Sequence, residues 1–349
     1  MLENKNNRTE LKELGEFGLI KHLASLVQIK NPETLKGIGD DAAVLNLADG
    51  KTVITTDMLL EGVHFDLSYV PLKHLGYKAV MVNLSDVFAM NAKPKQILVS
   101  IGLSNRFSLE AVEELYSGML MACEKHGVDL VGGDTSSSHS GMVISITALG
   151  MAKEQDIVYR KGANENDLIC VSGDLGGAYM GLQVLLREKS VFMENPKIQP
   201  DLSGNDYILE RQLKPEARAD VVAMFASLGV KPSSMIDISD GLASEVLHLC
   251  NASDLGAVLF EEKILVDFQT EERAKEFGLD PTVCALNGGE DYELLFTIPL
   301  TEFEKIKSEK RVSVIGHMTS KSSGYQLISR QGTSVPLVAQ GWNAFTSDR

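Results

Sequence analysis

The sequence is poor in cysteine and in basic residues, and these shortages exclude several kinds of protein. The 349 residues include 33 Lys and Arg against 48 Asp and Glu, which gives a net charge of −15. This balance argues against nucleic-acid binding, which needs clustered basic residues. A bound polyanion would therefore need metal ions as intermediaries. The scattered cysteines form no C-x-x-C pair or Cys/His cluster, which argues against structural zinc and a disulfide framework; they are Cys123, Cys170, Cys250 and Cys284.

Long apolar runs are also missing. No uncharged apolar segment approaches the roughly 20 residues that span a bilayer, and the N-terminal MLENKNNRTE lacks the cationic and then apolar order of a signal peptide. We therefore expect a soluble, cytoplasmic protein without a membrane partner. With 44% hydrophobic and 23% charged residues, the composition is typical of a folded protein, and the length suggests two domains.

Hydrophobic periodicity in the first half of the chain alternates between helices and strands. Apolar residues at helical spacing predict an amphipathic helix between Leu11 and Val27. Further helices are predicted over 77–90 and, with Ser108 as the N-cap, over 108–126. Short apolar and β-branched runs predict strands at 52–56, 96–100, 129–131 and 142–147.

The second half begins after Gly150, where the sequence turns polar. Residues 188–216 are rich in Pro, Asn, Lys and Glu, and we interpret them as a long surface excursion with room for short helices. The whole pattern indicates a mixed α/β fold with domains at 1–151 and 152–349. Strands are predicted at 168–172, 256–260, 293–297 and 312–316, and helices from 178 to about 187 and from about 241 to 251.

Aspartates occur at five places where apolar or glycine-rich neighbours predict burial. A buried carboxylate is costly unless it is paired, hydrogen-bonded or bound to a metal. Any one of these aspartates could cap a helix or close a turn. Together they favour Mg²⁺, which takes a few carboxylates and leaves its other positions to waters and phosphate oxygens. The five places hold Asp40 and Asp41, Asp57, Asp86 with Asn83 on the same helix face, Asp134, and Asp237 with Asp240.

Two glycine-rich segments, residues 132–141 and 173–177, are candidates for phosphate binding because glycine lets the backbone approach an anion closely. The sequence contains no Walker A motif, G-x-x-x-x-G-K-[ST]. A tight turn between a strand and a helix explains 173–177 equally well. The stretch Gly288-Gly-Glu-Asp-Tyr-Glu-Leu294 is either a third ligand loop or a charged turn.

Taken in order, seven short motifs resemble those of the thiamine-monophosphate kinase family, over nearly the whole chain. The resemblance implies the two α/β domains of an aminoimidazole ribonucleotide synthetase-like fold and a homodimer whose N-terminal sheets join into a barrel. It also implies ATP-dependent phosphorylation of thiamine monophosphate to thiamine diphosphate. The motifs are Gly37-Ile-Gly-Asp-Asp41, Thr55-Thr-Asp57, Gly62-Val-His-Phe65, Asn83-Leu-Ser-Asp86, Gly132-Gly-Asp-Thr135, Ile238-Ser-Asp-Gly241 and Gly288-Gly-Glu-Asp-Tyr-Glu-Leu294.

The same resemblance implies roles for individual residues, with Asp57, Asp86 and Asp240 at the centre of catalysis and Asp40 as a secondary metal candidate. The implied ligands of several Mg²⁺ ions are Asp41, Thr55, Thr56, Asp57, Asp86, Asp134, Asp237 and Asp240. The implied ATP contacts are Gly133, Asp134, Arg160, Ser239 and Tyr116. The implied contacts to thiamine monophosphate are His64, Glu290 and Trp342.

We expect the γ-phosphoryl group to pass from ATP to the acceptor in line and without a phosphoenzyme, because the acceptor phosphate is already ionised. Related ATP-using synthetases are the nearest alternatives. A selenophosphate synthetase would need a reactive residue near the N-terminus, whereas the first cysteine is Cys123, and a hydrogenase-maturation dehydratase would need a C-terminal cysteine, whereas the sequence ends Thr346-Ser-Asp-Arg349. Amidine-forming purine synthetases and a non-catalytic sensor of nucleotides or thiamine phosphates stay open.

Overall fold

The computed structural model describes residues 34–36, 40–41, 43–48, 50–104 and 107–340. The predicted helix between Leu11 and Val27 and the predicted substrate contact Trp342 lie outside these residues. Within the described part of the chain, no helix combines the length and the apolar character that crossing a membrane requires.

A six-stranded sheet is formed by the first half of the chain, in the spatial order β1-β2-β3-β6-β4-β5. Neighbouring strands are antiparallel except β4 and β5, which are parallel. Along β6 the residues Ile144, Ile146 and Ala148 alternate with more exposed ones and enter the core of this half. The strands are β1 (Thr34–Lys36), β2 (Ala43–Ala48), β3 (Gly50–Leu60), β4 (Lys93–Leu103), β5 (Asp129–Ser137) and β6 (Val143–Ala152).

Two long helices accompany this sheet. Helix α1 (Leu72–Ala89) is buried along most of its length, as its apolar sequence on nearly every side requires. Helix α2 (Leu109–His126) begins as predicted, with the Ser108 side chain accepting a hydrogen bond from the Ala111 amide at 3.3 Å. It ends at Gly127, whose φ of 62° suits a glycine at a helix C-terminus.

Helices α1 and α2 approach each other closely at two glycines. A Cβ atom on Gly76 would lie 1.9 Å from the Leu115 carbonyl oxygen, and one on Gly118 would lie 1.9 Å from the Lys73 carbonyl oxygen. Neither backbone oxygen can move aside without moving its helix. The two glycines therefore fix how near α2 lies to α1.

A seven-stranded sheet is formed by the second half, in the order β13-β12-β9-β11-β7-β10-β8. Within this sheet, only β9 and β12 are parallel neighbours among the described strands. Strand β10 is buried on both faces because Leu295 enters one hydrophobic core and Phe296 enters another. The strands are β7 (Leu168–Ser172), β8 (Ser234–Asp237), β9 (Leu255–Phe260), β10 (Leu294–Ile298), β11 (Val312–Ser320), β12 (Tyr325–Ile328) and β13 (Ser334–Pro336).

The helices of the second half cover both faces of this sheet. Residues of α5 enter the core that contains Phe296, and residues of α6 enter the core that contains Leu295. The helices are α3 (Gly177–Glu194), α4 (Asp206–Leu213), α5 (Ala219–Leu228), α6 (Leu242–Ser253), α7 (Phe268–Glu276), α8 (Pro281–Asn287) and α9 (Phe303–Ile306).

The structure corrects one predicted strand end and part of one predicted surface segment, in which the short helix that was allowed for is present as α4. The strand predicted to end at residue 131 continues to Ser137, because Val131 bulges out of the ladder and residues 132–137 resume pairing with β4. Residues 188–216 are not all a surface excursion: α3 continues to Glu194, and Ile208 and Leu209 of α4 are buried. Ile208 and Leu209 are adjacent in a largely polar segment, so they give no helical periodicity in the sequence.

We predict that Gly118→Ala destabilises the protein. The added methyl group collides with a backbone carbonyl, so the free energy of unfolding should fall by about 1–3 kcal/mol although alanine favours helix formation. Ser117→Ala, at an exposed position of the same helix, is the control and should change it by less than about 0.5 kcal/mol. Urea unfolding measures both, and an unchanged midpoint for Gly118→Ala would contradict the proposed contact.

Candidate metal and phosphate site

Three aspartates from distant parts of the chain meet where the two halves touch. Asp41 precedes β2, Asp86 lies on α1 and Asp237 ends β8, and one carboxylate oxygen from each lies within 4.8 Å of the others. The Ser85 hydroxyl of α1 donates to Asp237 Oδ2 at 2.6 Å. The Thr55 hydroxyl of β3 donates to Asp86 Oδ2 at 2.5 Å. We call Asp41, Asp86 and Asp237 the aspartate cluster.

Asp57 of β3 adds a fourth carboxylate beside the aspartate cluster. Its backbone amide donates to Asn83 Oδ1 at 3.1 Å, and the Asn83 amide group in turn donates to the Ala79 carbonyl at 3.0 Å. The buried Oδ2 atoms of Asp57 and Asp41 have no hydrogen-bond partner among the described residues. Because buried polar atoms are normally satisfied, these two oxygens are candidate ligands of a cation.

Arg160, in the segment between the two sheets, is the cation that pairs with this acidic region. Its Nε donates to Asp41 Oδ1 at 3.0 Å, and its Nη2 contacts the same oxygen. Its backbone amide donates to Asp40 Oδ1 at 3.0 Å. Asp40 therefore holds the backbone of Arg160 and lies 4.0 Å from its Nε, whereas Asp41 forms the hydrogen bonds to the guanidinium group.

Crowding and burial raise the pKa values of the acidic groups. Burial, together with a smaller effect of the Asp237 charge, raises the pKa of Asp41 to about 7 against the opposing effect of Arg160. Burial followed by the charge of Asp41 raises the pKa of Asp57 to about 6. Burial raises the pKa of Asp237 to about 6, although Ser85 and Arg160 oppose it. The pKa of Asp86 is also raised, first by burial and then by the charge of Asp57.

The donor set fits Mg²⁺. All candidate ligands are oxygens, which a hard cation prefers. With ligands at about 2.1 Å, opposite ligands of an octahedral Mg²⁺ ion lie about 4.2 Å apart. The separations of up to 4.8 Å within the aspartate cluster are close to that value. A bound cation would also supply the partner that Asp41 Oδ2 and Asp57 Oδ2 lack.

Residues 238–241 form a turn that carries Ser239 and Asp240 from the end of β8 into α6. Two backbone bonds hold this turn from one side: the Glu290 amide donates to the Ser239 carbonyl at 2.7 Å, and the Tyr292 amide donates to the Ile238 carbonyl at 2.9 Å. The turn is therefore placed directly after Asp237 and against the segment 288–292.

The segment 288–294 divides its acidic residues between two directions. Glu290 has a φ of 58° and accepts from Lys78 Nζ at 2.9 Å and from Gln212 Nε2 at 2.8 Å. Asp291 and Glu293 are 1% exposed and face Arg211, whose Nη1 donates to Glu293 at 2.8 Å. Asp291 and Glu293 thus anchor the segment to Arg211, whereas Glu290 points to Lys78 and Gln212.

Sequence reasoning missed the residues that hold the predicted ones in place. Lys78 and Gln212 are buried next to Glu290, and Glu245 contacts the turn that carries Ser239 and Asp240. A lysine inside the apolar pattern of α1 was the available signal for Lys78. Nothing local identifies Gln212 or Glu245, because their partners lie on other elements or in a turn of the tertiary structure.

The structure does not bring two predicted metal ligands to the aspartate cluster. The Thr56 side chain is exposed on the opposite face of β3 from Thr55 and donates to the Ile146 carbonyl at 3.1 Å. Asp134 is exposed on β5, which is separated from β3 by β6 and β4. Three strand spacings amount to about 14 Å along the sheet. The side chains of Thr56 and Asp134 therefore do not join the aspartate cluster, and their binding of Mg²⁺ stays a prediction.

The remaining predicted residues occupy several places. Gly133 lies on β5 beside Asp134, and its φ of 153° lets the strand pass close to the Val99 carbonyl. Tyr116 lies on α2 and packs against the core of the first half. His64 follows β3, and its Nδ1 accepts a hydrogen bond from the Leu60 amide at 3.0 Å. The described contacts of Gly133, Tyr116 and His64 do not include the aspartate cluster.

Comparison with known proteins extends the similarity over most of the chain. Residues 39–152 match the family described as AIR synthase related protein, N-terminal domain. Thiamine-monophosphate kinase of Aquifex aeolicus is 36% identical over 316 residues, which cover 88% of this chain and 96% of that protein. Thiamine-monophosphate kinase of Bacillus subtilis is 31% identical over 340 residues, which cover 95% of this chain and 100% of that protein.

Solved structures agree with this relationship. The complex of AaThiL with AMPPCP and TMP has a TM-score of 0.82 and 34% identity, with 97% of this chain and 100% of that chain covered. The hydrogenase maturation protein HypE, at 20% identity, a TM-score of 0.67 and coverage of 89% of this chain and 94% of that one, shares the fold alone. From the identity and coverage of these relatives, the chain belongs to the thiamine-monophosphate kinase family.

Proposed function

We infer that this protein transfers a phosphoryl group from ATP to thiamine monophosphate and so produces thiamine diphosphate. The relatives that match nearly its whole length carry this activity in their names, and a similar solved structure holds AMPPCP and TMP. The observation in this chain that carries the inference is the aspartate cluster, whose oxygens lie within 4.8 Å of one another between the two halves. Such a cluster could bind the metal ions that bring two polyanionic substrates together.

Mg²⁺ is the proposed metal, held by the aspartate cluster together with Asp57 and with Asp240 in the adjoining turn. When bound, it would neutralise charge on the reacting phosphates. Thr55 directs Asp86 through its hydroxyl, Ser85 directs Asp237, and Asn83 fixes the backbone at Asp57. These hydrogen bonds orient the carboxylates before any ligand arrives, which is how supporting residues tune a metal site.

Arg160 and Ser239 are the proposed contacts of the ATP phosphates. The Arg160 guanidinium donates to Asp41, so a phosphate bound to a metal ion on Asp41 would lie within its reach. Glu290 and His64 are proposed to contact thiamine monophosphate. Roles for Gly133, Tyr116 and Trp342 stay predictions from the family resemblance.

The proposed chemistry is direct in-line transfer without a phosphoenzyme. The acceptor phosphate is ionised at neutral pH and needs little help from a general base, so positioning and charge neutralisation supply the rate. We also propose that the two sheets mark domains at 1–151 and 152–349, that the N-terminal sheets of a homodimer join into a barrel, and that the protein acts in the cytoplasm.

An assay with ATP, Mg²⁺ and thiamine monophosphate tests the function. We expect thiamine diphosphate and ADP in equal amounts, dependent on Mg²⁺, and no product with thiamine or an aminoimidazole ribonucleotide precursor as acceptor. Asp86→Asn should lower kcat by about 100-fold or more because it removes a charge that the phosphates require. Asp156→Asn, an exposed carboxylate, is the control and should retain normal turnover.

Two results of this assay would contradict the inference. ATP binding without any thiamine diphosphate would mean a different acceptor or a non-catalytic sensor. Near-normal turnover by a folded Asp86→Asn variant would mean that the aspartate cluster is not the metal site. Thermal unfolding and size-exclusion chromatography show whether the variant is folded.

Stabilisation by Mg²⁺ should depend on pH. The folded-state pKa values of Asp41, Asp57 and Asp237 are raised to about 7, 6 and 6. Without metal, the protein therefore loses stability as the pH rises through those values and the buried carboxyl groups ionise. Mg²⁺ needs the ionised carboxylates. The increase in Tm on adding Mg²⁺ should therefore be small near pH 5 and large near pH 8. An equal increase at both pH values, or one that Asp86→Asn leaves unchanged, would contradict the assignment.

Two adjacent threonines offer a matched pair of variants. Thr55→Val removes the hydroxyl that holds Asp86 and should raise the Mg²⁺ concentration for half-maximal activity about tenfold. Thr56→Val changes a side chain on the opposite face of β3 and should leave that concentration within about twofold. Titrating activity with Mg²⁺ at saturating substrates measures both concentrations. Equal effects of the two variants would contradict the proposal that only the face of β3 that carries Thr55 supports metal binding.

A further inference from the structure

Hydrogen bonds hold the turn formed by residues 238–241 from two sides. On one side, the backbone amides of Glu290 and Tyr292 donate to the carbonyls of Ser239 and Ile238. These bonds hold the carbonyls of the turn and leave the amides of Ser239 and Asp240 to be satisfied by another group. Because the turn follows Asp237 directly, its conformation decides where Ser239 and Asp240 face relative to the aspartate cluster.

Glu245, in the first turn of α6, satisfies those amides with a single carboxylate oxygen. Its Oε1 accepts from the Asp240 amide at 2.8 Å, from the Ser239 amide at 3.2 Å and from the Ser239 hydroxyl at 3.3 Å. The residue is 2% exposed. Both the backbone of the turn and the rotamer of Ser239 are therefore held by one side chain.

An ordinary helix cap explains only part of this arrangement. Glutamate near a helix N-terminus commonly accepts from the backbone at the N-cap, which for α6 is Gly241. Here Glu245 reaches beyond that position to two residues with proposed roles, and it also binds a side-chain hydroxyl. Its other oxygen, Oε2, is buried without a hydrogen-bond partner among the residues that the structure covers. Burying a carboxylate with an unpaired oxygen is costly. A helix can be capped at the protein surface without this cost.

We propose that Glu245 is a positioning residue that holds the 238–241 turn in the conformation in which Ser239 and Asp240 face Mg²⁺ and the ATP phosphates. The proposal rests on the function inferred above. Loss of the three hydrogen bonds would free the turn on the side that Glu290 and Tyr292 do not hold. Binding of ATP with Mg²⁺ should then weaken, while thiamine monophosphate, for which Glu290 and His64 are the proposed contacts, should bind nearly as before.

Two variants of similar length separate the role of the acceptor oxygen from that of packing. Glu245→Met keeps the volume and removes the acceptors, and it should raise KM for ATP and the half-saturating Mg²⁺ concentration about tenfold, with KM for thiamine monophosphate within about twofold. Glu245→Gln keeps an acceptor oxygen and should recover most of both values. Calorimetric binding of AMPPCP in the presence of Mg²⁺ should show the same order of affinities without turnover.

Glu188→Met is the matched control. Glu188 is a largely buried glutamate of α3 whose Oε2 accepts from the Asp201 amide at 2.9 Å, in a turn without a proposed role. This variant should lower Tm and leave KM for ATP and the Mg²⁺ requirement unchanged. Glu245→Ala, which removes the acceptors without adding bulk, replaces Glu245→Met if the latter does not fold.

A purely structural role would be shown by a lower Tm for Glu245→Met with unchanged KM for ATP, Mg²⁺ requirement and AMPPCP affinity, and that result would overturn the proposal. Failure of Glu245→Gln to recover affinity would overturn it as well, because the acceptor oxygen would then not be the decisive feature. If the wild-type protein did not phosphorylate thiamine monophosphate, the inferred function would fail, and the calorimetric comparison would still decide the role of Glu245.

Discussion

The geometry of the site depends on the burial of helix α1 between the two halves of the chain. Its apolar residues pack into the core of the first half, which fixes the helix in position and rotation. The polar residues Asn83, Ser85 and Asp86 are thereby directed to Asp57, Asp237 and Thr55. A small shift of α1 would break contacts to both sheets at once. The close approach of α1 and α2 at Gly76 and Gly118 therefore has a consequence for the site as well as for stability.

The site concentrates negative charge at a cost that a bound cation would offset. Four neighbouring aspartates have raised pKa values because they are buried and repel one another, and Arg160 compensates only part of that charge. Two carboxylate oxygens stay without a partner among the described residues. Such an arrangement is unfavourable in a protein that only has to fold. It fits the Mg²⁺ binding that we propose, which would let an acidic chain bind polyanionic substrates.

Backbone strain near the site is offset by a separate buried network. Glu290 and Tyr292 adopt left-handed φ values of 58° and 51°, which are uncommon for residues other than glycine. Between and beside them, Asp291 accepts from the Gly176 amide at 2.8 Å, and Glu293 pairs with Arg211. These interactions anchor the segment while its backbone amides hold the 238–241 turn. Arg211 and Gln212 belong to α4, so the polar region before residue 216 holds the segment 288–294 in place through Glu293 and Glu290.

The sequence by itself determined most helices and strands, the buried character of α1 and the identity of the acidic residues, because periodicity and an aspartate among apolar neighbours are local signals. It could not separate Thr55 from Thr56 or exclude Asp134 from the cluster, since that depends on which face of β3 is covered and on the strand order β3-β6-β4-β5. Nor could it find Glu245. The contacts that join α1 to the strands at the site link residues 26 to 152 positions apart, as in Asp57 with Asn83 and Ser85 with Asp237. Only the packing of the two sheets around one helix decided those pairings.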